Sequence, residues 1–549
     1  MDDEAQAAQK PSVISRRRLL AVGALAGTAA ALAACGNAPS STPIADGAAT
    51  SIAPQGAPSA PAASRAPGAT AAAPSLPPER DTSMTAENLR RGSGGWDRMR
   101  QQAGVSAYLA AASVGPGEPL SLRAAGTGVV DVEWYRLGWY HGLGARLLKV
   151  DRKVSLVKQP AATIDKVTGL VEAHWKPVLR TTVPSGVKSG MLLAVIRSPE
   201  GHSVANVPIV LRPDPTDPRR APILFVSAAA TWQAYNAWGG LDLYSNLYRH
   251  PVAATANHRA AQVSFDRPYF LDSGAGYLRR WELQFIRWME RNGRDVEYIA
   301  DLDLERNPDL ANGRRLLVMA GHPEYWTRPM RARVEAAVAS GTNVAFLTAN
   351  EVYWQARLED GPAGPGTRIT SYKSRTADPI MPTQPDLTTC RWREPPVNDP
   401  EAPLVGQMYG GIVQRVADWI VTNHSHWLYE GTDLRDGDAI SNLVGQEFDT
   451  FFPDLAQPGT VQLAHSPVHT AHRPNHDPGA YPSQPIHTST MYTAQSGATV
   501  YAAGTFQWSW AIDGYGSRDY HGVHTPVDDR VARMTRNLFD RLGDGPLAP

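Results

Sequence analysis

The chain has 549 residues, with 53 basic and 53 acidic side chains, and two cysteines. That length exceeds what one hydrophobic core fills, so more than one domain is expected. Zero net charge gives no electrostatic case for a nucleic-acid partner, and two cysteines exclude a disulfide framework or a cysteine-rich zinc site.

The N-terminus reads as an address. Ser15-Arg16-Arg17-Arg18 is basic, and an uncharged apolar run follows from Leu19 to Ala34. This is the n-region and h-region order of a secretion signal, and the paired arginines resemble a twin-arginine signal. Leu32-Ala33-Ala34-Cys35 resembles a bacterial lipobox, which makes Cys35 the expected lipidation site and the membrane a partner through that lipid. The run is shorter than a membrane span requires. The signal is read as residues 1–35. Residues 36–95, rich in Ala, Pro and Ser, are expected to be a disordered tether. Export to the periplasm or cell surface, with a lipid anchor, follows as an expectation.

Residues 100–212 are expected to form a β-sandwich. Val129–Tyr135 alternates, Leu147–Val150 follows Gly turns, and Gly190–Ile196 and Val207–Leu211 are further short runs. Residues 219–545 change pattern. Ala221–Ser227, Asp295–Ala300, Arg315–Gly321 and Asn343–Ala349 are short apolar runs of the buried parallel kind. Helical spacing over Trp281–Asn292, and after Thr327 with Pro329 in the first turn, places helices between them. The alternation predicts a parallel sheet covered by helices. Residues 360–500 read as strands and loops inserted into that domain. Ala498–Ala503 and a helix over Pro526–Leu542, with Val527 on its apolar stripe, return to it.

Ligands of open α/β sheets bind outside the carboxyl ends of the strands. The rule selects Tyr235 after the first strand, His322 and Glu324 after the third, and Asn350 after the fourth. A carboxylate, an imidazole and an amide in one cleft can do acid–base work or hold a metal. His465, His469, His472 and His476 would share a helix face, but Pro467 and Pro474 interrupt it, so a solvated loop is expected. His424-Ser425-His426 is a weaker signal of the same kind. Cys390 follows no strand-to-helix turn, and no Gly-x-Ser-x-Gly occurs, so a nucleophilic hydrolase lacks its nucleophile.

Several segments resemble the large (beta) subunit family of N,N-dimethylformamidase. They are Thr231–Gly240, Phe265-Asp266-Arg267-Pro268-Tyr269, Gly321–Trp326, Thr348-Ala349-Asn350, Tyr135–Tyr140, Tyr372-Lys373-Ser374 and Ala503–Trp510. The resemblance implies a glutamine-amidotransferase-like α/β domain with a β-rich insertion, preceded by an immunoglobulin-like sandwich. It implies a mononuclear iron held by two tyrosines and a glutamate. Glu324 maps onto the glutamate. Tyr235 and Tyr269 are the chosen tyrosines, with Tyr244 as the competitor. His322, Asn350, Lys373 and Glu447 are the implied catalytic positions beside Glu324. The expected activity is hydrolysis of an amide C–N bond in a small substrate, with an oligomer or small subunit as a further expected partner. The alternative is a non-catalytic envelope lipoprotein that binds glycan or a protein.

Overall fold

The computed structural model describes residues 83–98, 104–217, 219–255, 258–472, 484–516 and 524–544. The signal, Cys35 and most of the tether lie outside them. So does His476. The fold is mixed and sheet-rich, with few helices.

Its centre is a seven-stranded sheet. In chain order the strands are β1 (Ile223–Ser227), β2 (Val296–Ala300), β3 (Leu316–Met319), β4 (Asn343–Phe346), β5 (Val461–Pro467), β6 (Ile486–Thr493) and β7 (Thr499–Ala502). The spatial order is β2-β1-β3-β4-β7-β6-β5. Strands β2, β1, β3, β4 and β7 are mutually parallel, as the apolar runs predict. The remaining two add antiparallel, so the sheet is mixed rather than wholly parallel.

Side chains of these strands alternate between two cores, because successive residues of a strand face opposite ways. Ile223, Phe225, Leu316, Val318, Ala345 and Tyr501 face helices α2 (Leu283–Arg291) and α4 (Asp529–Leu542) through Phe285, Trp288, Leu538 and Phe539. Leu224, Val226, Leu317, Met319, Val344 and Val500 face helix α3 (Arg328–Ala339) through Met330, Val334 and Val338. Thr327 caps α3 by accepting from the Met330 amide at 3.3 Å. The helical run expected over 281–292 divides at Glu282, between Gly276–Trp281 and α2. The last helix begins at Asp529, capped by Asp528, and Val527 is exposed instead of joining the stripe.

Ahead of this body stand two facing sheets. One has five strands in the order Ser113–Val114, Ser203–Leu211, Gly190–Arg197, Val129–Leu137 and Ala145–Ser155. The other has three: Ser106–Tyr108, Pro119–Ala125 and Pro177–Thr182. Leu120, Leu122 and Ala124 of the smaller sheet share a core with Val132, Trp134, Leu192 and Ile196 of the larger.

The tether expectation fails at its C-terminal end. Met84–Leu89 is a helix with Met84 and Ala86 buried. Its Glu87 accepts from the Tyr140 hydroxyl at 2.6 Å and from Arg146 Nε at 2.8 Å. The histidine loop is also corrected. His465 sits in β5 and His469 in the short strand His469–His472, both exposed, because Pro467 closes one strand rather than preventing any.

The Tyr135–Tyr140 segment joins the two bodies. Arg136 and Glu290 of α2 are both fully buried and form a two-pronged pair at 2.9 and 3.0 Å. Tyr298 donates to Glu290 at 2.9 Å and Asn88 donates at 3.1 Å. Gly138 has no alternative here, since a Cβ at that position would lie 2.0 Å from Glu290 Oε2.

Candidate active site

The carboxyl ends of β1, β3, β4 and β7 open toward one cluster. β1 runs into the short helix α1 (Ala229–Ala234), and Tyr235 is its C-terminal cap. β3 runs into Gly321, whose φ of 103° suits glycine and where a Cβ would lie 2.8 Å from Glu282. His322, Pro323 and Glu324 follow, and the Glu324 amide donates to Thr231 of α1 at 3.1 Å. β4 runs through Thr348, which donates to the Gly321 carbonyl, to Asn350 in the left-handed region at φ 57°. After β7, Phe506 sets its ring 4.5 Å from His322.

Glu324 is the centre, with 2% of its surface exposed. Tyr235 donates to its Oε2 at 2.9 Å, and Tyr244 donates to its Oε1 at 2.5 Å. The two phenol rings stack 4.3 Å apart. Tyr325 donates to the Tyr244 hydroxyl at 2.7 Å. Lys373 holds its ammonium 3.0 Å over the Tyr244 ring and donates to the Leu243 carbonyl at 3.3 Å.

On the other side, His322 Nε2 lies 3.3 Å from Glu324 Oε2 and 3.5 Å from Glu447 Oε2. Asn350 Nδ2 donates to the same Glu447 oxygen at 2.7 Å. Glu447 opens the strand Glu447–Thr450, which pairs antiparallel with Met408–Arg415. Two residues on, on the same face of that strand, Asp449 accepts from the Asn350 amide at 2.9 Å.

Burial pushes the Glu324 carboxyl above its usual range, and the nearby Glu447 adds to this against His322 and Lys373. Burial alone would lower the His322 imidazole. The Glu324 and Glu447 carboxylates outweigh it, and the net direction is upward. Asp449 and Glu351 form a buried acid pair behind Asn350, both raised first by burial.

Tyr235, His322, Glu324, Asn350, Lys373 and Glu447 therefore come together. Tyr269 does not join them. Its ring packs 6.3 Å from Trp232, and burial pushes its ionisation well up. Among the described contacts it has none with Glu324, whereas Tyr244 has the shortest. Tyr325, Phe506 and Asp449 complete the cluster. Tyr325 follows Glu324 directly in Glu324-Tyr325-Trp326, which could have marked it. No local pattern marks Asp449.

Two phenol oxygens and the Glu324 carboxylate lie within hydrogen-bond distance of one another, a donor set that suits a hard cation. Among the described residues no three His, Cys, Asp or Glu side chains form a metal-holding group. A metal here would depend on the phenols. Two phenols already directed at both oxygens of one carboxylate satisfy that requirement.

A cluster of oxygen donors and acid–base groups at the strand ends of an α/β sheet defines a candidate hydrolytic site. Residues 131–522 match the family described as N,N-dimethylformamidase beta subunit-like, C-terminal, and the chain belongs to that family. It is similar to the N,N-dimethylformamidase beta subunit of Alcaligenes sp, at 23% identity over 455 residues, covering 69% of this chain and 56% of the relative. The beta subunit of Paracoccus aminophilus is 22% identical over 454 residues, with the same coverage of 69% and 56%. The chain thus spans about half the length of the curated relatives it matches.

Proposed function

We propose that this chain is an amide hydrolase that cuts the C–N bond of a small substrate. Tyr235, Tyr244 and Glu324 would hold a mononuclear iron. The observation that carries the reading is the pair of phenol hydroxyls on the two oxygens of buried Glu324. Tyr244 takes the place first given to Tyr269, since it is Tyr244 that reaches Glu324. Phenolate and carboxylate oxygens are hard donors, and tyrosinate ligation of iron has precedent in haem proteins. Bound there, the iron would supply Lewis-acid polarisation of the amide carbonyl.

The chain's own groups divide the proton work. Glu447 takes a proton from the attacking water, and the Asn350 side chain fixes the carboxylate oxygen that receives it. His322, between two carboxylates, is suited to hold a proton at Nε2 and pass it to the departing amine nitrogen. Water adds its oxygen to the carbonyl carbon, the C–N bond breaks, and the products are an acid and an amine. Lys373 sets its ammonium 3.0 Å over the Tyr244 ring, which holds that ring in place beside Glu324.

The seven-stranded sheet supports a glutamine-amidotransferase-like reading of the α/β body. The two facing sheets support an immunoglobulin-like reading of the unit before it. The relatives' name, beta subunit, supports a partner subunit for this chain. Twin-arginine export and lipid attachment at Cys35 belong to the same proposal and would place the hydrolase at the cell envelope.

The deciding experiment purifies the full chain from iron-replete cells, measures metal per chain, and assays a panel of small amides that includes N,N-dimethylformamide. Iron near one per chain is expected, with amine release that Glu324→Ala abolishes. Amine release that survives Glu324→Ala in iron-free protein would overturn the reading.

A further inference from the structure

The Phe265–Tyr269 segment lies beside the site and supplies none of its donors. The geometry points to Arg267 as a positioning residue that clamps the loop between Tyr235 and Tyr244, so that both phenols meet Glu324. The meaning given to those phenols rests on the proposed function; the clamp itself does not.

The loop reverses through Gly239 and Gly240, with φ of 79° and 94°. Its carbonyls turn inward onto one guanidinium. Arg267 Nη1 donates to the Leu241 carbonyl at 2.9 Å and to the Trp238 carbonyl at 3.3 Å. Two further bonds fasten the same loop. Asn236 Nδ2 donates to the Pro268 carbonyl at 2.9 Å, and Asn236 Oδ1 accepts from the Phe270 amide at 2.9 Å. The neighbouring Asp266 reaches the other way and accepts from Tyr108 of the three-stranded sheet at 2.7 Å. The segment is therefore anchored on one side and grips the tyrosine loop on the other.

Arg267 is 1% exposed, and among the described residues no carboxylate lies within ion-pair distance of it. Among the described residues its Nε has no hydrogen-bond partner. Burying such a cation is costly unless fixed dipoles replace its water. Here those dipoles are the loop's own carbonyls, so releasing the loop would strand the charge. The coupling runs both ways: the loop solvates the guanidinium, and the guanidinium fixes the loop. The second fork nitrogen, Nη2, reaches the Gln233 carbonyl at 3.5 Å, so a lysine, with one nitrogen, cannot replace all three contacts. Burial pushes the guanidinium down to about 10, which leaves it charged at neutral pH.

The test is hydrogen–deuterium exchange by mass spectrometry on the full chain, with Arg267→Met, Arg267→Lys and a remote control, Arg314→Met. Arg314 is also buried but bonds the Leu310 and Ala221 carbonyls and pairs with Glu297, away from the site. In Arg267→Met the amides of 236–244 should exchange about a hundred-fold faster, the loss expected for bonds from a charged donor. Those of β4 should not change. Arg267→Lys should fall between, and Arg314→Met should leave 236–244 as in the wild type. In parallel, ferric ion is titrated while the visible tyrosinate band is followed, and Arg267→Met should bind about a hundred-fold more weakly. Unchanged exchange at 236–244 in folded Arg267→Met overturns the clamp, as does an equal rise in Arg314→Met. If Arg267→Met does not fold, Arg267→Lys decides by the same criterion. A wild-type chain that gives no band removes the iron reading, and the exchange result still judges the clamp.

Discussion

Replacing Arg136 by Met should be among the most damaging single changes outside the site. The guanidinium is completely buried, and it holds Glu290 through two bonds of 2.9 and 3.0 Å. Its removal leaves Glu290 inside the protein with two neutral donors, Tyr298 and Asn88. Breaking one partner of such a pair costs about 3–5 kcal/mol, because the survivor keeps its desolvation penalty. Glu290→Gln should cost a similar amount, since it leaves the cation unbalanced. The double variant Arg136→Met/Glu290→Gln removes both charges and should fall short of the sum of the singles by roughly 2 kcal/mol or more. Urea unfolding followed by tryptophan fluorescence on the four proteins measures this directly. A cost below about 1 kcal/mol for Arg136→Met, or strict additivity in the double variant, would refute the pair as the bond between the two bodies.

In iron-loaded protein, Tyr244→Phe should lose most of the visible tyrosinate absorption and Tyr269→Phe should keep it; the reverse pattern would restore Tyr269 as a ligand. His487 gives a pH prediction. Burial pushes its imidazole down to about 4, with Nε2 beside the Ala503 carbonyl at 3.0 Å. The unfolded chain then binds the extra proton between about pH 6.5 and the folded value, so the stability linked to this group is whole above 6.5 and falls as pH drops toward 4. The loss is on the order of 3 kcal/mol, and His487→Gln should flatten the acid limb of a melting-temperature profile; an unchanged limb counts against it.

The sheet and the strand-end cluster are legible because they rest on local, repeating signals. Five-residue apolar runs announce buried parallel strands, and the chirality of α/β folds puts their exits on one edge. Tyr235, His322, Glu324 and Asn350 all follow such runs. Lys373 and Glu447 carry no such mark: one sits on a loop at φ 53°, the other on an antiparallel ladder far along the chain. Family resemblance, not periodicity, pointed to them. The choice between Tyr244 and Tyr269 depended on how a ten-residue loop with two glycines folds back, which pairwise spacing does not encode. The helix at Met84–Leu89 was hidden by composition, since the Ala- and Pro-rich stretch before it masks where burial begins.

The site gathers Tyr235 and Glu447 across more than two hundred residues of chain, with Phe506 arriving after β7. No fragment of the polypeptide owns a usable part of it. Whatever occupies the cluster binds only the finished molecule, so its binding energy is added to the stability of every element that carries a donor. Occupancy thereby doubles as a seal on completed folding: a bound chain should melt later as one body, and a chain missing β7 should have nothing to seal.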